Sequence, residues 1–246
     1  MQSKDRLIVA LDVPNLEKAK SLVDQLAPHV GIFKIGSELY TAEGPAAIQE
    51  VQERGGKVFL DLKFLDIPNT VEGAARSAAM HGVRMFNVHA SGGLLMLEKA
   101  RAGRDAGVNE ARLDFVPRIL AVTVLTSLAK ADLDREGNMV PIRRLVLQRA
   151  ILAREAKLDG VIASPLEVAE VRDHLGPFFL IVTPGVRFPD SDSHDQVRIA
   201  TPYAAIKSGA DFIVMGRPIT AAASPVEAAK RAVREIERGL AASERS

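Results

Sequence analysis

Cysteine is absent from the 246 residues, which excludes disulfides, thiolate nucleophiles and cysteine-ligated zinc or iron–sulfur sites. Tryptophan is absent too and tyrosine occurs twice, so any platform for stacking nucleic-acid bases would have to come from nine phenylalanines. Excess charge is also missing. Against 32 Lys and Arg stand 31 Asp and Glu, a formal balance of +1. That is not the basic field of a dedicated nucleic-acid binder. An anionic small molecule stays open as a substrate, because one or two well-placed cations suffice to hold it. No apolar run approaches bilayer length, so no membrane partner is expected. Met1–Arg6 lacks the pattern of a secretory signal. A cytoplasmic location is therefore expected. No Gly-x-Gly-x-x-Gly follows the first apolar run and no lysine-bearing phosphate loop occurs.

What is present is an alternation of short apolar runs with longer amphipathic stretches. Leu7–Leu11, Gly31–Ile35, Val58–Leu62, Met85–Val88, Ile119–Val124, Gly160–Ala163, Phe178–Val182 and Phe212–Met215 read as strands. Between the first two, Leu16, Ala19, Leu22, Val23 and Leu26 recur three to four apart, which predicts a helix over Leu16–Leu26. Further helices are predicted over Pro45–Arg54, from Pro68 onward, and over Leu94–Ala106, Val140–Glu155, Leu166–Leu175, Val197–Ser208 and Pro225–Leu240. Pro68 suits a first helical turn, where a missing N–H leaves no bond unmade. Lys130–Asn138 reads as a polar interruption, Arg187–Asp195 as a polar loop and 241–246 as a frayed tail. Eight strand–helix units with no linker between them predict one α/β domain over 1–246, a closed (β/α)8 TIM barrel.

In such a barrel the C-terminal strand ends face the substrate. Here they carry charge. The first strand ends in Asp12, the second carries Lys34, and the third ends in Asp61-Leu-Lys63 with Asp66 three residues on. The fourth ends in Asn87-Val-His89. Strand residues two apart share a side, so Asp61 and Lys63 point together while Leu62 points away. Any one of these is as readily a satisfied charge capping a barrel end. Two acids and two lysines on three adjacent strands form a neutral alternating set, and charge inside a barrel is costly unless so paired. A catalytic array is the better reading. Across the barrel, Thr183-Pro-Gly-Val-Arg187 and Met215-Gly-Arg-Pro218 follow the seventh and eighth strands, where this architecture often binds phosphate. Gly185 and Gly216 would admit close backbone approach, and Arg187 or Arg217 could fork onto phosphate oxygens. A surface salt bridge is the plain alternative for either arginine.

The run Asp61-Leu-Lys-Phe-Leu-Asp-Ile-Pro-Asn-Thr70 closely resembles the signature of the orotidine 5'-phosphate decarboxylases. The resemblance covers nearly the whole chain. It includes Leu11-Asp12, Phe33-Lys-Ile-Gly36, Asn87-Val-His-Ala-Ser-Gly-Gly93, Ala121-Val-Thr-Val-Leu-Thr-Ser127, Val182-Thr-Pro-Gly-Val-Arg187 and Val214-Met-Gly-Arg217. It implies the compact bacterial form, standing alone rather than fused to a phosphoribosyltransferase. Such enzymes are cofactor-free, metal-free homodimers that convert orotidine 5'-monophosphate to uridine 5'-monophosphate (UMP) and carbon dioxide. That is the last step of de novo UMP synthesis. By motif, Lys63 corresponds to the lysine that protonates C6, and Asp61 to the acid beside the departing carboxylate. Lys34 corresponds to the lysine linking this array to the ribose, and Asp12 to a ribose-hydroxyl ligand. Asp66 and Thr70 correspond to residues that reach into the neighbouring subunit's site. Thr126 and Ser127 correspond to the segment along the phosphate and pyrimidine side. Pro184, Arg187, Gln196, Gly216 and Arg217 correspond to the closing loop and the phosphate contacts. One position departs from the pattern, Leu65 standing where many bacterial relatives have His. Two other readings compete: a metal-dependent phosphosugar decarboxylase or formaldehyde-fixing synthase of the same superfamily, and a silent nucleotide-binding barrel.

Overall fold

The computed structural model describes residues 1–190 and 200–243. Eight parallel strands close into a barrel: β1 (Leu7–Ala10), β2 (Ile32–Gly36), β3 (Val58–Phe64), β4 (Met85–His89), β5 (Arg118–Val122), β6 (Gly160–Ile162), β7 (Leu180–Thr183) and β8 (Phe212–Met215). They run in sequence order around the barrel, and β8 pairs with β1 to complete the ring. Around them lie α1 (Leu16–Leu26), α2 (Ser37–Glu43), α3 (Ala46–Glu53), α4 (Pro68–Met80), α5 (Gly93–Ala111), α6 (Lys130–Arg135), α7 (Ile142–Glu155), α8 (Val168–Leu175), α9 (Pro202–Lys207), α10 (Arg217–Thr220) and α11 (Pro225–Ser243). Among the described residues no helix is long and apolar enough to cross a membrane.

Strand alternation divides the core in two. Leu7, Val9, Phe33, Ile35, Leu60 and Phe86 belong to the layer packed under the helices. Ile8, Ala10, Ile32, Phe59, Met85 and Leu120 belong to a separate cluster, with Val182, Phe212 and Val214, that fills the barrel interior. The two-residue period that turns Ile32 and Phe59 inward also turns Lys34 and Asp61 inward, one step nearer the C-terminal mouth. Two ion-paired aspartates clasp the opposite end. Asp159, ahead of β6, accepts from the Ile119 N–H at 2.8 Å and from Arg104 of α5 at 2.8 Å. Asp211, ahead of β8, accepts from the Ile181 N–H at 2.8 Å and from Arg172 of α8 at 2.6 Å. Each ties a strand start to its neighbour.

The elements depart from expectation where local chemistry outruns periodicity. The stretch Lys130–Asn138 is not a plain interruption: α6 forms there, the Asp132 carboxylate capping the Ala129 N–H at 2.9 Å and Leu133 buried beneath it. The helix expected over Pro45–Arg54 is preceded by another, α2, which Gly44 ends at φ 60°. The short α10 also follows β8 directly, with Pro218 in its first turn. Phe178 is exposed ahead of β7 rather than within it. The tail is helical to Ser243. The helix expected from Val197 begins at Pro202 with Thr201 as its cap, and residues 197–199 lie outside the described residues, as does Gln196.

Candidate active site

Four charged side chains and one amide meet at the mouth of β1–β4. The Lys34 Nζ lies 3.0 Å from Asp12 Oδ1 and 3.2 Å from Asp61 Oδ2. The Lys63 Nζ lies 2.7 Å from Asp61 Oδ1. Charge therefore alternates along one chain of contacts, Asp12, Lys34, Asp61, Lys63, as the strand ends lead one to expect. Lys34 and Asp61 are each only 8% exposed. Burial alone would push the Lys34 ammonium down, but the Asp61 and Asp12 carboxylates outweigh it and hold the lysine above its usual 10.5. Burial alone would likewise raise Asp61. Lys34 and Lys63, with hydrogen bonds from Lys63 and Asn87, reverse that and hold its carboxyl below the usual 3.8. Gly36 leaves room for the pair: a Cβ there would stand 3.0 Å from Lys34 Nζ and 3.1 Å from Asp12 Oδ1, so one or the other would have to shift by a few tenths of an ångström.

Strand β3 is irregular where it carries this chemistry. Leu60 pairs with Phe86 and Phe64 with Val88, so four steps of β3 match two of β4. Lys63 adopts φ 51°, a left-handed conformation rare for a side-chain-bearing residue. Asp61 and Lys63 do share a side, as their spacing predicts, although by way of this bulge rather than a regular pleat. Asn87 bridges the bulge. It donates from Nδ2 to Asp61 Oδ1 at 2.6 Å and accepts the Lys63 N–H on Oδ1 at 2.8 Å. His89, two residues further along β4, is pushed below 6.5 by burial, helped by the Arg149 and Lys63 cations.

These groups form one wall of a cleft of about 560 Å³, within the range of small-molecule sites. Asp12, Lys34, Asp61 and Lys63 line it together with Thr126, Pro184, Gly185, Arg187, Gly216 and Arg217. The array and the expected phosphate side thus face a common space. Gly185 sits at φ 77°, which glycine adopts without strain. Over Gly216 a Cβ would meet only Ala10 Cβ at 3.5 Å and Asp12 Oδ2 at 3.9 Å, so its backbone is open to the cleft. Arg187 is buried.

Not every expected residue lies here. Ser127 is not among the lining residues, and Gln196 lies outside the described residues. Asp66 and Thr70 are exposed and line no part of this chain's own cleft. Asp66 instead accepts the Ile67 N–H at 2.6 Å. Its chain neighbours Leu65 (55%) and Ile67 (67%) are exposed apolar side chains. Sequence reasoning left Asn87 and Gly36 without assigned roles, and it did not foresee Glu38 of α2 on the cleft wall.

A sequence profile of the Orotidine 5'-phosphate decarboxylase / HUMPS family matches residues 5–232. An orotidine 5'-phosphate decarboxylase of Moorella thermoacetica is 53% identical over 241 residues, covering 96% of this chain and 94% of that protein. One of Geotalea daltonii is 47% identical over 238 residues, covering 97% and 98%. Among solved structures, orotidine 5'-phosphate decarboxylase from Lactobacillus acidophilus superposes with a TM-score of 0.83 at 40% identity, covering 94% of this chain and 98% of that one. A profile match over most of the chain, with relatives this similar along nearly their whole length, means that the chain belongs to the Orotidine 5'-phosphate decarboxylase / HUMPS family.

Proposed function

We propose that this protein decarboxylates orotidine 5'-monophosphate to UMP and carbon dioxide, the last step of de novo UMP synthesis. It does so with its own side chains and no cofactor or metal. The observation that carries the reading is the alternating Asp12–Lys34–Asp61–Lys63 chain, which lines one cleft together with Gly216 and Arg217. Relatives of about half identical sequence bear the decarboxylase name.

The chemistry sets the demand. When the bond from C6 to the carboxylate breaks, its electron pair stays on C6 in the plane of the ring, with no adjacent carbonyl to take it up. A fixed cation beside C6 stabilises that charge without reorganising. Lys63 fills the role and passes an Nζ proton to C6, leaving a neutral amine that solvent reprotonates. Asp61 holds Lys63 by their 2.7 Å contact, and Lys34 balances Asp61 while reaching Asp12 on the ribose side. Thr126, on the cleft wall, serves the pyrimidine and phosphate side, and Ser127, off the wall, joins it only once substrate is bound. Pro184, Arg187, Gln196, Gly216 and Arg217 bind the phosphate and close over it. Binding energy from that remote group then aligns C6 with Lys63 and excludes water.

The reading includes a homodimer in which Asp66 and Thr70 complete the partner's site. The exposed Leu65 and Ile67 on either side of Asp66 support it, because a dimer seam would cover them. A cytoplasmic location and the absence of nucleic-acid and membrane partners belong to the same reading. The metal-dependent phosphosugar enzymes of the superfamily are the alternative. Against them, Asp12 and Asp61 are each ion-paired to lysine.

The test is loss of the orotate chromophore on incubation with orotidine 5'-monophosphate, with and without EDTA and beside a Lys63→Ala control. Chelator-insensitive turnover by wild type and none by the variant is expected. No turnover, or turnover that EDTA abolishes, would overturn the reading.

A further inference from the structure

We infer that Asn87 is a positioning residue for the proton donor: it grips the Asp61 carboxylate and the Lys63 backbone at once, and so sets where the Lys63 ammonium stands. The inference rests on the decarboxylase reading above. Asn87 is 0% exposed and does not line the cleft, so it acts only through its neighbours. Its amide orientation follows from its partners. A carboxylate only accepts, so Nδ2 must face Asp61; a backbone N–H only donates, so Oδ1 must face Lys63.

The bulge explains why such a residue is needed. In a regular parallel ladder the register Leu60–Phe86 would continue to Leu62–Val88 and bring Lys63 level with His89. Instead Phe64 is level with Val88, which holds Lys63 back to the height of Asn87 and Asp61. The Lys63 N–H then finds its acceptor on the Asn87 side chain. A left-handed lysine persists only where its surroundings hold it, and this bond does so. The same amide fixes Asp61 Oδ1, the oxygen that takes the Lys63 ammonium. Backbone and side chain of the proton donor are thus referred to one buried, uncharged group. Its neutrality matters: a further charge among two acids and two lysines would break the array's balance.

Two variants test this. Asn87→Leu keeps the branched outline of the side chain and removes both hydrogen bonds. Its kcat should fall by about 10- to 100-fold, the cost of losing buried hydrogen bonds to a charged group. Its affinity for UMP should stay within about threefold, because Asn87 itself does not line the cleft and every lining side chain is kept. Asn87→Asp keeps an acceptor for the Lys63 N–H but sets a second carboxylate against Asp61. The two would share one proton, so kcat should rise as pH falls through their joint titration, a limb absent from wild type. Exchange of the UMP C6 hydrogen for solvent deuterium should slow in Asn87→Leu in step with kcat.

Unchanged kcat in Asn87→Leu would overturn the inference. So would loss of kcat and UMP affinity by the same factor, which marks a merely structural role. If Asn87→Leu does not fold, the pH profile of Asn87→Asp decides, and a profile matching wild type overturns it. Wild-type protein that leaves orotidine 5'-monophosphate intact overturns the decarboxylase reading itself; wild-type turnover with an indifferent Asn87→Leu overturns this inference alone.

Discussion

Replacing Lys34 with methionine keeps an unbranched stem and deletes the cation at the centre of the array. Asp61 then keeps Lys63 and Asn87 but loses a charge 3.2 Å away. At an effective dielectric constant of about 20, that contact is worth about 5 kcal/mol before desolvation is counted. Part is returned, because the lysine itself no longer has to be buried. Breaking one side of a buried pair leaves a net loss of about 3 kcal/mol. In a domain of this size that lowers Tm by about 6–12 °C. The protein has no tryptophan, so urea unfolding is best followed by circular dichroism. The pH dependence has a definite sign. Asp61 is depressed below 3.8, so its stabilisation is present above that value and is lost as pH falls through the lower folded value. Lys34 is raised above 10.5, so its share is complete below 10.5 and is lost only as pH rises through the higher folded value. The gap between wild type and Lys34→Met should be flat around neutrality and narrow on strong acidification. Adding Asp61→Asn to Lys34→Met should cost less than the two single changes summed, since the second removes the charge the first orphaned. A gap under about 0.5 kcal/mol at neutral pH, or strict additivity, would refute the reasoning.

Other consequences are as direct. Arg217→Ala should lower kcat/KM for orotidine 5'-monophosphate by about 2–4 kcal/mol, roughly 30- to 1000-fold, while the unphosphorylated nucleoside reacts no worse than with wild type. Equal losses on both substrates would remove the phosphate role. Mixing Asp66→Ala with Lys63→Ala subunits should restore part of the activity, because one site of a mixed dimer escapes both lesions. Verified subunit exchange without recovery would end the shared-site proposal. Gly103→Ala should destabilise by about 1–3 kcal/mol in urea, since overpacking drives helices apart: its Cβ would stand 2.0 Å from the Glu72 carbonyl oxygen, at the seam of α4 and α5. Wild-type stability in that variant would contradict the close helix contact.

The barrel and the charged half of the site were legible because both follow from a two-residue period. Ile32 and Phe59 must face inward to fill the barrel, and Lys34 and Asp61 inherit their side. What periodicity cannot convey is register. The bulge between Leu60 and Phe64 leaves no mark in Asp61-Leu-Lys63, and the left-handed Lys63 breaks the usual preference of its residue type. Asn87 had only its place at a strand end to betray it, since a single amide in an apolar run has no partner visible in one dimension. Gly36 reads as a strand end until the Lys34–Asp12 contact shows that a side chain there would crowd the ion pair. Helix α6 escaped because six residues with one buried leucine are too short for a helical period, and its capping carboxylate looks like ordinary loop polarity.

A crystal structure with UMP bound would test the central claim most directly. The account places the phosphate on Arg217 and the Gly216 backbone, and C6 within about 3–3.5 Å of the Lys63 Nζ, the reach needed for proton delivery. A bound nucleotide whose C6 is turned toward the β7–β8 side, with Lys63 directed away from it, would contradict the account.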